Sequence, residues 1–240
     1  MHNTIAILKK EFRGYFNTPM AYVFLVAFLI ISQWLVMRGY FLRDQADLRM
    51  FFTLVPIIFI LFSPAVTMRL WAEERKLGTI ETLLTAPIRE GEAILGKFLG
   101  GWLFLAVALI LTFALPMVVA GTVKEQIGID YGPIMGGYIG LFLLGGAYLS
   151  IGLFASSLWD SQIAAWIIGS SLCFFLYMIG DPFGLFSLPQ SLVPFFQYLS
   201  LSQHFENIAR GVLDISDLVY YISIIFFFLF LNSIFLKRRS

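Results

Sequence analysis

The stretch Trp71–Lys97, WAEERKLGTIETLLTAPIREGEAILGK, is a polar, helix-forming segment between two apolar runs of membrane-spanning length. From Glu73 to Lys97 it holds five of the chain's fifteen acidic residues and four of its sixteen basic residues. Because the rest of the chain is mostly lipid-soluble, we expect this loop to contact something soluble.

Composition predicts the class of protein. Hydrophobic residues make up 59% of the 240 residues and charged residues 13%, whereas a soluble domain has about 25% charged residues. This balance indicates an all-α polytopic membrane protein. The formal net charge of +1 gives no indication of a nucleic-acid partner. The single cysteine, Cys173, excludes an intrachain disulfide and a cysteine-based metal cluster.

Six runs without Asp, Glu, Lys or Arg are long enough to cross a bilayer core, which takes about 20 helical residues. They predict transmembrane helices at about 18–37, 50–70, 98–120, 133–158, 162–180 and 218–236. A seventh charge-free run, Pro182–Phe205, contains three prolines, three glutamines and His204. Unpaired polar groups are costly in hydrocarbon, so we expect short interfacial or partly inserted helices there. Asp181, which closes the fifth run, is interpreted as a helix end that meets water.

The distribution of Lys and Arg predicts the orientation. With six spans both termini lie on one side, and that side carries eleven of these cations against five on the other. The positive-inside rule therefore places both termini and the Trp71–Lys97 loop in the cytoplasm.

Residues 3–16 have the pattern of an amphipathic interface helix. Apolar side chains lie on one face and three cations, Lys9, Lys10 and Arg13, on the other. The apolar face consists of Ile5, Leu8, Phe12, Tyr15 and Phe16. Such a helix either anchors the chain alone or also contacts a partner, and both interpretations remain open.

The fourth span is rich in small residues, which let membrane helices approach closely. The spacing fits either packing within the chain or a dimer interface. The residues concerned are Gly136, Gly140, Gly145, Gly146, Ala147, Gly152 and Ser156.

Two enzyme interpretations are weak. Gly91–Lys97 fits the first seven positions of a phosphate-binding loop, but Phe98 replaces the hydroxyl residue and a helical pattern replaces the preceding strand. Gly96 and Gly100 are therefore assigned to helix packing, and Lys97 to the membrane boundary. Glu73, Glu74 and His204 would be the residues of an intramembrane protease, but no H-E-x-x-H motif is present and the predicted topology separates them. We therefore predict no catalytic, cofactor or metal site in this chain.

The opening loop divides into three parts. Trp71–Leu77 continues the second span, and Gly78 is a helix stop. Thr79 can cap a short helix that Pro87 ends, and Arg89 begins the helix that enters the third span. A short helix lying across the membrane face either inserts into a groove on a partner or only joins two spans.

Three segments carry a resemblance to a known family. Glu73–Pro87, EERKLGTIETLLTAP, resembles the signature loop of ABC-2-type permeases, the membrane subunits of ATP-binding-cassette transporters. Ser202–Asp214, followed by Asp217–Tyr220, resembles the family's segment before the last span. Lys9–Tyr22 is similar to the group that includes the gliding-motility-associated permease. The resemblance covers the whole chain, residues 1–240, as one transmembrane domain.

The resemblance implies a specific architecture and set of partners. It implies six transmembrane helices, an amphipathic N-terminal helix, a cytoplasmic coupling helix within loop 73–97, and re-entrant helices between spans five and six. It also implies a bacterial cytoplasmic (inner) membrane, a second permease chain in a homo- or heterodimer, and a separate cytoplasmic ATPase subunit. ATP and Mg are expected in that ATPase, and this chain is expected to be no enzyme.

The resemblance also implies roles for individual residues. ATPase docking and coupling are assigned to Glu73, Glu74, Gly78, Thr79, Glu81, Leu84 and Pro87. A re-entrant segment over the exit is assigned to His204, Phe205, Glu206, Arg210, Gly211 and Asp214. The expected function is a permease subunit, most simply of an exporter. The alternative is a membrane scaffold that recruits a cytoplasmic ATPase machine without moving a substrate; an intramembrane protease is the remaining, weaker alternative.

Overall fold

The computed structural model describes residues 2–43, 49–78, 89–114, 131–181, 189 and 191–237. Every regular element in these ranges is a helix, which confirms the predicted all-α class. In chain order the helices are α1 (His2–Phe16), α2 (Pro19–Arg43), α3 (Arg49–Thr67), α4 (Arg69–Lys76), α5 (Glu90–Thr112), α6 (Tyr131–Leu158), α7 (Gln162–Met178), α8 (Val193–Leu199), α9 (Leu201–Ala209) and α10 (Ile215–Lys237).

Several of these helices are long and apolar enough to cross a membrane, which confirms a polytopic membrane protein. Helices α1 and α2 form a pair bent by 73° that makes a further candidate, and α7 is apolar but shorter. The number of six spans stays a prediction. The four helices that qualify singly in the described ranges are Arg49–Lys76, Glu90–Thr112, Gly132–Leu158 and Ile215–Lys237.

Helix α6 is the centre of the bundle. The most apolar stretch of α6 is 78% buried inside the chain, whereas the corresponding stretch of α10 is 28% buried. Small residues of α6 lie where its neighbours approach. A Cβ added at Gly140 would lie 3.1 Å from the Phe205 ring of α9, and one added at Gly146 would lie 3.0 Å from Trp102 of α5. The described contacts of these glycines therefore support packing within the chain.

Helix α1 lies directly against the backbone of α5 in a groove formed by two glycines. A Cβ at Gly96 would lie 2.7 Å from the Cβ of Ile7, and one at Gly100 would lie 2.9 Å from the Cβ of Glu11. The groove therefore sets the rotation of α1. Ile7 is buried, whereas Ile5, which the pattern had placed on the apolar face, is 52% exposed.

The close approach of α1 and α5 predicts a specific effect of adding one methyl group. We expect Gly96→Ala to push α1 away from α5 and to lower the free energy of unfolding by about 1–3 kcal/mol, as overpacking does. Thermal unfolding of the purified protein in nanodiscs measures the effect. Gly91→Ala is the matched control, because a Cβ at Gly91 on the same helix meets nothing within 4 Å. Equal stability of the two variants would contradict the close packing.

Candidate functional site

Helix α4 continues α3 beyond a break at Met68, and a side chain from α6 stabilises this junction. The Ser156 hydroxyl accepts hydrogen bonds from the backbone N–H groups of Trp71 (3.1 Å) and Ala72 (3.2 Å). It donates to the carbonyl oxygen of Met68 at 2.8 Å. N–H groups in the first turn of a helix have no intrahelical partner, so Ser156 caps α4 from another helix. The start of α4 is thereby held to the end of α6.

A buried lysine joins α4 to two further helices. The Lys97 ammonium of α5 lies 2.7 Å from Glu74 Oε1 of α4 and 3.2 Å from Glu11 Oε1 of α1. It also donates to the carbonyl oxygen of Leu70 at 2.9 Å. An ammonium has three donors, and these three acceptors match that number. Lys97 is only 1% exposed. The three hydrogen bonds therefore offset the free-energy cost of removing its charge from water.

A second lysine completes the cluster from the outside. Lys10 Nζ lies 3.9 Å from Glu74 Oε1 and 4.0 Å from Glu11 Oε1, with its side chain 69% exposed. Two cations therefore accompany two carboxylates, and the group has no formal net charge. We call Lys97, Glu11, Glu74 and Lys10 the Lys97 cluster. Lys97 also lies over the indole ring of Trp71, 4.8 Å from the ring centroid.

Further polar contacts hold the ends of α1. The Tyr15 hydroxyl donates to the carbonyl oxygen of Val66 at 3.0 Å, and Arg69 lies over the Tyr15 ring at 4.5 Å. At the other end of α1, Asn3 Nδ2 donates to Glu92 Oε2 of α5 at 3.1 Å. Helix α1 is therefore fastened both to the start of α5 and to the junction of α3 and α4.

The far end of α4 has the predicted helix stop. Gly78 has φ +70°, a left-handed conformation that glycine adopts without a Cβ clash. Its N–H donates to the carbonyl oxygen of Arg75 at 3.1 Å. Arg75 Nε also lies 3.3 Å from Asp160 Oδ1, in the connection between α6 and α7.

The predicted docking residues divide between two environments. Glu73 and Gly78 are exposed, whereas Glu74 points inward to Lys97. Their docking role stays a prediction. Thr79, Glu81, Leu84 and Pro87 lie outside the described residues. Sequence reasoning missed the role of Lys97, although a lone cation at the start of an apolar helix was a signal that could have found it.

The predicted re-entrant segment lies at the other end of α6. Helix α9 packs against Gly136 and Gly140, which lie twenty and sixteen residues before Ser156, or about 24–30 Å along a helix. The ring of His204 is buried, with Nδ1 2.5 Å from Asp217 Oδ1 and Nε2 2.9 Å from the carbonyl oxygen of Tyr198. Both ring nitrogens lie within hydrogen-bonding distance of an oxygen, so His204 joins α9 to α8 and to α10 at the same time.

Tyrosines of α10 hold the short helices to the last helix. Tyr220 stacks on the His204 ring with 3.9 Å between centroids, and its hydroxyl donates to the carbonyl oxygen of Leu199 at 2.6 Å. The Tyr221 hydroxyl donates to the carbonyl oxygen of Leu201 at 2.8 Å. Asp217 and Tyr220 were quoted in the sequence pattern but not assigned as site residues, and Tyr221 lies just beyond that pattern.

The other residues of the predicted re-entrant segment lie in surroundings that suit their side chains. Phe205 is buried against Gly140, and Gly211 has φ +88° where a Cβ would meet the backbone of Gly132. Asp214 accepts a hydrogen bond from the backbone N–H of Ser216, which holds the pKa of this carboxyl below its ordinary value. Glu206 and Arg210 form an exposed pair 3.5 Å apart.

The geometry gives no support to a protease. Glu73 and Glu74 follow Ala72, whose N–H bonds Ser156, whereas His204 precedes Phe205, which packs on Gly140, so they lie at opposite ends of α6. Among the residues that the structure describes, no three His, Cys, Asp or Glu side chains converge on a metal position.

The family model of the ABC-2 family transporter protein matches residues 5–236. The chain belongs to this family. No curated protein matches it. As an ABC-2 protein, it is a permease subunit of an ABC transporter, and ABC-2 permeases are in general the non-catalytic membrane component. Its membership of the gliding-motility group stays a prediction.

The cap that Ser156 of this ABC-2 protein provides can be tested by removing one hydroxyl. We expect Ser156→Ala to lower the free energy of unfolding by about 1–3 kcal/mol, because the buried N–H of Trp71, in the first turn of α4, loses its acceptor. Ser157→Ala is the matched control, since the Ser157 hydroxyl is also buried but only donates within its own helix, to Phe154. Unfolding in denaturant compares the two, and a Ser156→Ala variant no less stable than the control would refute the cap.

The His204–Asp217 pair can be tested with a double-mutant cycle. Removing one partner of a buried pair leaves a charge or polar group unpaired, so we expect His204→Phe and Asp217→Asn each to cost about 3–5 kcal/mol of stability. The double variant should be more stable than the sum of the two losses predicts. The exposed pair Glu206–Arg210 is the control, and its cycle should give a coupling of less than about 1 kcal/mol. Additive losses at His204 and Asp217 would show that they are not coupled.

Proposed function

We propose that this permease subunit belongs to an exporter and is driven by a separate cytoplasmic ATPase that docks on the exposed end of α4 and on loop 79–88. The supporting observation is the position of α4. It leads from the candidate span α3 to this loop, and it contacts α6 through Ser156 and α1 and α5 through Lys97. A displacement of the loop therefore acts on several helices together.

In this proposal a displacement begins at Gly78, at the end of α4, and passes from helix to helix. Arg49–Lys76 forms one candidate span of 28 residues, about 40 Å long. Movement at its α4 end carries the end of α6 with it, because Ser156 bonds the backbone of α4. Helix α6 then carries the displacement to α9, which packs on Gly136 and Gly140 near the proposed exit.

The proposal includes the surroundings of the chain. The excess of Lys and Arg supports cytoplasmic termini in a bacterial inner membrane, with lipid around the exposed apolar faces of α2 and α10. A second permease chain, identical or different, completes the transporter. ATP and Mg belong to the ATPase subunit, because Gly91–Lys97 lacks the hydroxyl residue of a phosphate-binding loop. No cofactor is proposed for this chain.

The docking assignment can be tested by reversing one exposed charge. We expect Glu73→Lys to weaken retention of the ATPase about fivefold, or about 1 kcal/mol, because an interface charge becomes repulsive. Co-purification with the proposed partner ATPase measures the effect, and Gly78→Leu should act in the same direction. Glu206→Lys, an exposed change near the other end of α6, is the control and should retain the ATPase fully.

Two outcomes would change the proposal. Full ATPase binding and full transport by Glu73→Lys would show that the docking assignment is wrong. An ATPase that assembles on the chain but shows no substrate-dependent turnover would favour the membrane scaffold over the exporter.

A further inference from the structure

Lys97 occupies the place where α1 approaches α5 most closely. It follows directly after Gly96 and lies three residues before Gly100, the two glycines that admit α1. Its ammonium is buried and donates to one carboxylate on α1 and to a carboxylate and a carbonyl group on α4. A single side chain of α5 therefore contacts both α1 and α4.

We propose that Lys97 is a positioning residue that makes α1, α4 and α5 move as one unit when the ATPase acts on the α4 end. This inference rests on the proposed function. Ser156 and Asp160 connect α4 to α6 and to the connection after it. Arg69, at the start of α4, contacts the Tyr15 ring of α1 and the Thr18 hydroxyl just after α1. Lys97 adds a contact to α5 at the same place as a second contact to α1, and the link to α5 is one that these other contacts do not provide.

The charges of the cluster make this joint strongly dependent on Lys97. Glu11 and Glu74 share the same ammonium, so each lies within a few ångströms of one cation and close to the other carboxylate. If Lys97 loses its charge, the two partly buried carboxylates lose the ammonium that lies between them and keep the more distant, exposed Lys10. Like charges at this range repel, so the attraction that this cluster gives between α1 and α4 weakens.

The type of residue fits this role. Lysine carries a compact charge with three donors directed to different sides, whereas arginine presents a planar fork that suits one carboxylate. Three acceptors on two helices surround Lys97, and the indole of Trp71 covers it. A single ammonium can therefore bind acceptors on α1 and α4 at the same time. The planar guanidinium of an arginine in the same groove would do this less well.

The test separates positioning from stability by removing the charges in two ways. Lys97→Met removes the buried ammonium from both carboxylates, and we expect it to lower thermal stability. The triple variant Lys97→Met, Glu11→Gln, Glu74→Gln replaces these three charged side chains with neutral ones, so we expect its stability to recover, as neutral replacements of buried ion clusters allow. Both variants are studied in the complex with the ATPase, in nanodiscs.

The readout of positioning is an ATP-dependent change at the opposite end of the bundle. Asn207 is exposed on α9, so Asn207→Cys can be labelled with a membrane-impermeant thiol reagent, while the native Cys173 is buried. We expect ATP to change the labelling rate in the parent protein. In the triple variant we expect that change to shrink about fivefold although the ATPase stays bound, in the range that coupling residues show.

Three outcomes are decisive. A triple variant that regains both stability and the full ATP-dependent change would show that Lys97 is only structural, and would overturn the inference. A parent protein that binds no ATPase, or shows no ATP-dependent change, would overturn the proposed function itself. A triple variant that is stable and binds the ATPase but has lost the change would support the inference.

A second variant keeps the inference testable if the triple variant does not fold. Glu11→Leu removes only the acceptor on α1 and leaves Lys97 paired with Glu74 and with the Leu70 carbonyl group. We expect it to fold and to lose most of the ATP-dependent labelling change. Lys9→Met, an exposed change on the same helix, is the control and should keep the change. A full change in Glu11→Leu would overturn the inference.

Discussion

The burial of the Lys97 ammonium is the constraint on which the described end of the bundle depends. A charge removed from water is tolerated only when its donors are matched, and the matching acceptors come from α1 and α4. Meeting this requirement brings α1 into contact with α4, the helix that precedes the predicted coupling segment. Helix α1 is thus an integral part of the bundle and does more than anchor the chain.

The same principle organises both ends of α6. In hydrocarbon, unpaired polar groups are costly, and buried polar side chains here serve helix junctions. Ser156 caps α4 at one end, and the His204–Asp217 pair joins α9 to α10 at the other. Between them, small residues let neighbouring helices approach the α6 backbone. A central helix with specific contacts at both ends is suited to carry a displacement from one side to the other.

Much of the architecture could be predicted from local pattern. Apolar runs predicted helices, and Gly78 predicted the end of α4, because each rests on residues close together in sequence. The partners of Lys97 could not be found in this way: Glu74 and Glu11 lie 23 and 86 residues away. The rotation of α1 was also missed, since the pattern admitted Ile5 on the apolar face and only the glycine groove of α5 selected Ile7 instead.

The sequence by itself therefore determined the helical membrane class, the polar loop between the second and third apolar runs, and the resemblance to ABC-2 permeases. Composition and spacing suffice for these, because a bilayer admits few solutions for a long apolar chain. Only the tertiary structure decided that Glu74 points inward to Lys97 while Glu73 stays exposed, and that His204 is paired with Asp217. Such assignments depend on which distant helices meet, and helix packing brings together charges that the chain order separates.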